Sequence, residues 1–199
     1  MSNNNENNKK SNENKVTRRK REFILTEDVK SATVKDIIMG IVEINRHDDE
    51  QEKKDENYVR EPIKLIVNTY GGSVYDGFAL TAVIDTSVTP VHTYLYGKAM
   101  SMGFIIFASG HKRFMHQLAT LMYHQFSLGI HDKLEGIEQN MEHNKALMHR
   151  YDQYITHVSN VPQSKMDNAK KMKQEWYIFA EEAMSYGLVD EILKSKRSA

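Results

Sequence analysis

The chain has no cysteine, one tryptophan and three prolines in 199 residues. Without cysteine there is no disulfide, no thiolate nucleophile and no cysteine metal site. Excess charge of either sign is also missing: 27 Lys and Arg balance 27 Asp and Glu. The totals therefore exert no pull toward nucleic acid or a membrane surface. No apolar run nears the roughly 20 residues that cross a bilayer, and the first residues lack the apolar segment of a secretory signal. These absences leave a soluble, cytoplasmic protein as the expectation, with no nucleic-acid and no membrane partner. The length suffices for one domain with a sizeable core.

What is present is organised around Gly97-Lys98-Ala99-Met100-Ser101-Met102-Gly103. An apolar, strand-like run (Val91 to Tyr96) enters this stretch and an apolar, helix-like run (Phe104 to Ala108) leaves it. Ser101 thus stands where a strand turns into a helix, among small residues that let the chain bend. A hydroxyl there lies at a helix N-terminus, where backbone N–H groups and the helix dipole favour developing negative charge. That suits a serine nucleophile. A serine that merely caps the helix is the alternative.

Along the chain, residues 1–20 form an Asn/Lys/Glu/Ser tract that cannot bury enough apolar surface to order itself. It ends in the basic cluster Arg18-Arg19-Lys20-Arg21, read as a solvated charge run. Phe23-Ile24-Leu25 is a short strand. Ser31 is placed as the cap of a helix carrying Val34, Ile37, Ile38, Ile41 and Val42 at helical spacing. From Arg46 to about Arg60 the chain is almost wholly polar and reads as an exposed loop. Ile63 to Val67 is a buried-type strand that runs into Asn68-Thr69-Tyr70-Gly71-Gly72-Ser73. Ser73 and Asp76 form a capping pair for a helix from Val74 to about Asp85.

Beyond the Ser101 helix, Phe114-Met115 and Leu118 to Tyr123 are strand candidates, and His124 follows the second. Strands alternating with helices imply βαβ units and a mostly parallel sheet. A long helix from about Lys133 to Val158 carries Leu134, Ile137, Met141, Asn144, Met148, Tyr151, Ile155 and Val158 at heptad spacing. This stripe packs either inside one subunit or against another. Val161-Pro162 breaks the helix and a short polar helix follows. Trp176-Tyr177-Ile178 is apolar, a last helix from Ala180 to Tyr186 closes at Gly187, and Leu188 to Leu193 is a final anchor.

Three features combine. Functional groups of an open α/β sheet gather at the C-terminal strand ends, which puts Ser101, His124 and Gly71-Gly72 along one edge. A histidine there can take the serine proton and return it to a leaving amine. The Gly71-Gly72 turn, with no Cβ in the way, and Met102 can offer backbone N–H groups as a two-donor oxyanion site.

The ordered set Asn68 to Asp76, Ala99-Met100-Ser101-Met102-Gly103 and Met122-Tyr123-His124-Gln125 resembles the proteolytic subunit of the Clp protease, ClpP. The likeness extends from Arg21 to Thr26 and through Ala180-Glu181-Glu182-Ala183 to Asp190. It implies a ClpP/crotonase-like α/β fold, a mostly parallel sheet with a long protruding handle helix. The peptidase domain spans 21–194, its handle about 133–160, with polar tails at 1–20 and 195–199. The implied activity is that of an ATP-dependent serine endopeptidase: two stacked heptameric rings degrade unfolded polypeptides delivered by an AAA+ ATPase. ATP belongs to that partner, and no cofactor to this subunit. Ser101 is the implied nucleophile, His124 the base, and Gly72 and Met102 the oxyanion donors.

Departures accompany the likeness. Tyr70 and Phe126 stand where the family has proline. The family's acid position falls on Lys171 counted back from Ala180, and on Ala169 counted forward from Pro162. Asp167 is the expected third member, ahead of Glu175, which would need the chain to reverse. A non-catalytic or weakly active ring subunit working beside an active paralogue is the alternative function. Another crotonase-fold enzyme acting on acyl-thioesters is a third, less supported because that chemistry does not need the Ser/His pair.

Overall fold

A computed structural model describes residues 21–126 and 134–195. The tract 1–20, residues 127–133 including the expected helix start at Lys133, and the last four residues lie outside them. Seven strands form one sheet: β1 (Glu22–Leu25), β2 (Ile63–Thr69), β3 (Val91–Met100), β4 (Lys112–His116), β5 (Thr120–Tyr123), β6 (Trp176–Phe179) and β7 (Glu191–Leu193). The main path runs β1-β2-β3-β4-β7, all parallel. The helices are α1 (Ser31–Glu52), α2 (Val74–Asp85), α3 (Met102–Ala108), α4 (Leu134–Val158), α5 (Gln163–Met172) and α6 (Ala180–Ser185). The α/β fold with a mostly parallel sheet is the one expected.

Strand β3 changes partner along its length. Its first half, His92 to Leu95, pairs β4, and its last three residues, Lys98 to Met100, pair Thr120 to Met122 of β5. A bulge makes this possible: Val67 faces Leu95 but Thr69 faces Ala99. The Asn68 side chain accepts from the Lys98 N–H at 3.1 Å and so occupies the irregularity. Strand β6 then pairs β5 antiparallel, Tyr123 opposite Trp176. This hairpin-like layer hangs from the upper end of β3.

The core is one apolar cluster between sheet and helices. Helix α3 is buried along its whole length, from Met102 to Ala108. It threads beneath the helices that cover it, which explains why it is apolar on every side.

Three expectations need correction. Ser31 is the first residue of α1 rather than its cap; Lys30 occupies that place, and the Ser31 hydroxyl donates to Asp76 at 2.8 Å. The polar stretch from Arg46 is helical up to Glu52. Its polarity hides a buried anion: Asp48 accepts from Arg21 Nη1 (3.0 Å), Tyr58 (2.7 Å) and Thr89 (2.7 Å). Arg21 is therefore buried in an ion pair and is not part of a solvated run. Arg60 forks onto Glu52 and Asp49 and holds the following turn to the same helix.

Helix α4 is divided by its surroundings. Leu147, Met148, Tyr151 and Ile155 are buried against the subunit's own core, whereas Met141 is 47% exposed. Asn144 donates back to the Asn140 carbonyl of its own helix. The C-terminal half of the stripe thus packs within the subunit. The side chains of Leu134 and Ile137 lie outside the described residues.

Candidate active site

Ser101 sits between β3 and α3 with φ +52°. A non-glycine residue in this region is strained, and the surrounding structure must hold it there. Its side chain caps no helix N–H, although it occupies the N-cap position. The capping alternative is thereby removed, and the hydroxyl is left outside the helix's hydrogen bonding. Two bonds fix the turn: the Ser101 N–H donates to Met122 of β5 at 2.9 Å, and the Tyr151 hydroxyl of α4 donates to the Ser101 carbonyl at 2.9 Å.

The Gly-Gly turn is packed directly against this serine. Gly71 has φ +102° and Gly72 φ +146°. A Cβ at Gly71 would lie 2.8 Å from the Ser101 Cβ and 2.7 Å from the Met100 carbonyl oxygen. Val29 secures the turn from the other side, donating to the Gly71 carbonyl at 2.8 Å and accepting from the Ser73 N–H at 2.7 Å. Among the described residues, neither the Gly72 nor the Met102 N–H has an acceptor. Tyr70 turns outward, 67% exposed, with the Lys98 ammonium 4.1 Å above its ring.

His124 directly follows β5, two residues past the Met122 carbonyl that binds Ser101. Serine, histidine and the glycine turn therefore share the C-terminal edge of β3, β5 and β2, as anticipated. Among the described residues, His124 makes no side-chain hydrogen bond. The Asp167 carboxylate accepts from Gln163 at 3.0 Å and pairs with Lys170 at 2.9 Å. No hydrogen bond joins it to His124. The Gln163 and Lys170 bonds hold its pKa below the usual carboxylate value.

Two side chains from α4 belong to this region and escaped sequence reasoning. Asp152, 1% exposed, accepts from Tyr123 at 2.7 Å and from Lys170 at 2.5 Å. Burial first, and then the Asp152 bond, push the Tyr123 phenol well above its ordinary pKa. Burial works against the Lys170 charge, but the bonds to Asp152 and Asp167 outweigh it and raise that pKa. Tyr151 was visible only as a stripe member; its ring meets Tyr123, Phe104 and Phe126 while its hydroxyl reaches Ser101. Gln125 and Phe126, which follow His124 in the chain, line a cavity of about 270 Å³ together with Met141, Met148, Asp152 and Lys170.

Among the described residues no group of three His, Asp or Glu side chains could hold a metal ion. No helix there is long and apolar enough to cross a membrane.

With this geometry in hand, comparison with known proteins is specific. The Clp protease family model matches residues 5–196. An ATP-dependent Clp protease proteolytic subunit of Deinococcus radiodurans is 32% identical over 138 residues, 68% of this chain and 66% of that relative's length. Among solved structures, a point mutant of ClpP1 from Listeria monocytogenes superposes with a TM-score of 0.73 at 18% identity. That match covers 89% of this chain and 93% of the other, and it bears on the fold.

Proposed function

We propose that this chain, which belongs to the Clp protease family, is the proteolytic subunit of an ATP-dependent serine endopeptidase. The observation that carries the reading is Ser101 held at φ +52° between strand and helix, with the Gly71 turn packed directly against it. Ser101 Oγ attacks the scissile carbonyl as His124 takes its proton. The carbonyl oxygen, now negative, accepts from Gly72 and Met102 N–H. Collapse expels the amine, which receives the proton from His124, and water then releases the acyl group by the same path. The cavity lined by Gln125 and Phe126, smaller than the roughly 300–1,000 Å³ pockets of whole small molecules, suits a single substrate side chain. Its Phe126, Met141 and Met148 walls would hold an apolar stem.

Family membership supports the assembly side of the proposal. Two stacked heptameric rings enclose the sites, an AAA+ unfoldase supplies unfolded polypeptide in the cytoplasm, and ATP is consumed by that partner. A non-catalytic subunit would have no use for a strained serine.

A fluorophosphonate probe tests the reading. The assembled protein should be labelled at Ser101 and should hydrolyse fluorogenic peptides. Ser101→Ala should abolish both while leaving the oligomer intact. Hydrolysis persisting in Ser101→Ala would remove this serine from the mechanism.

A further inference from the structure

The pairing of β5 with β6 points a carboxylate-bearing residue toward His124 across the sheet. Strands β5 and β6 are antiparallel, with Tyr123 opposite Trp176 and Met122 opposite Tyr177. One residue past the last pair, the same register sets His124 opposite Glu175. Directly opposed residues project to the same side of a sheet, and sides alternate along the strand. Tyr123 and Trp176 share one side, their rings 6.4 Å apart. His124, Glu175, Met122 and Tyr177 share the other. That Glu175 and Tyr177 lie on one side is plain from the hydrogen bond the Tyr177 hydroxyl donates to the Glu175 carboxylate. The chain reversal that a glutamate at 175 would need is thus built into the fold by β6.

We propose that Glu175 is the positioning residue of His124, taking the place of the family acid from the opposite strand. The inference rests on the serine-peptidase reading above. In the single chain the carboxylate rests on Tyr177, which is 46% exposed, as Glu175 itself is exposed. A rotation about the Glu175 side chain exchanges the phenol for the imidazole. The carboxylate then accepts from Nδ1–H, which fixes the tautomer whose Nε2 takes the Ser101 proton, and it stabilises the imidazolium once formed. The competing ionisable groups at this end are engaged: Asp152 and Asp167 are bound to Lys170, and the Lys165 ammonium lies 5.9 Å from the Trp176 ring centroid. Glu175 is the carboxylate that the register delivers to the histidine's side.

The test compares Glu175→Gln, Glu175→Asp and Asp167→Asn in the assembled protein, by peptide hydrolysis across pH. Removing a positioning carboxylate from a triad costs up to about 10⁴ in rate, and a loss of at least about 100-fold in kcat/KM is expected for Glu175→Gln. A carboxylate beside a histidine favours its charged form. Its removal should therefore move the acid limb of the kcat/KM profile to lower pH, a change that a merely structural role would not produce. Glu175→Asp, which keeps the charge, should recover part of the rate and the original limb. Asp167→Asn should stay near wild type. A Glu175→Gln enzyme within threefold of wild type, with its acid limb unmoved, overturns the proposal. So does a larger loss with a shifted limb in Asp167→Asn. Either result in a wild type that is labelled at Ser101 removes Glu175 alone. A wild type neither labelled nor active removes the peptidase reading, and Glu175 with it.

Discussion

Gly71 and Ser101 occupy one small volume, and neither leaves room for enlarging the other. A Cβ on Gly71 would stand 2.8 Å from that of Ser101 and 3.0 Å from the Met102 nitrogen, so it would push on the proposed nucleophile and a proposed oxyanion donor together. The φ of +102° adds strain of its own for any residue with a side chain. Gly71→Ala should therefore cost about 1–3 kcal/mol of stability and slow fluorophosphonate labelling at least about tenfold. Thermal melting and labelling rate measure the two, and labelling at the wild-type rate would mean that the two turns move independently. The strand-end positions of Ser101, His124 and Gly72 were legible in the sequence because each follows an apolar run. The contact of Tyr151 with the Ser101 turn was not, and Glu175 was weighed there only behind Asp167. Their relation to the site depends on which helix crosses the turn and which residues face each other across β5 and β6, and neither is written in local spacing.

At the scale of elements, the polar stretch after Arg46 was misread for a physical reason. Polarity signals solvent only when polar groups lack partners, and Asp48 has three of them inside the fold. Burial alone would push its carboxyl up; hydrogen bonds from Arg21, Thr89 and Tyr58, together with the Arg21 charge, outweigh burial and hold it below the usual value. Asp48→Ala leaves Arg21 buried without its anion and should cost about 3–5 kcal/mol in a urea melt. The sign of the pH effect follows from the depressed folded pKa. The contribution is complete above the unfolded value of about 3.9 and is lost as acidification carries pH below it, through the folded pKa. Asp48→Asn should flatten that acid slope; an unchanged slope would place the acid sensitivity elsewhere. Long apolar or strictly periodic elements, α2 and α4 among them, were by contrast readable almost to the residue.

The whole molecule is a parallel sheet to which a second, smaller layer is attached. Ser101 is carried by β3, deep in the main sheet, whereas His124 belongs to the β5–β6 layer. That layer meets β3 through three residue pairs only, Lys98–Thr120, Ala99–Leu121 and Met100–Met122. Pairing between β2 and β3 is more extensive and lies in the core. The Ser101 turn and His124 thus follow strands of unequal pairing. Amide hydrogen exchange should register this as two classes: β5 and β6 protons exchanging through a low-energy local opening, and those of Ile63 to Val67 exchanging only with global unfolding. Identical protection in both would make the layers a single cooperative unit. If the classes separate, mild denaturant will silence the peptidase before the fold melts. Anything that presses β6 onto β5, a neighbouring subunit included, then acts as a thermodynamic switch on catalysis without touching the serine.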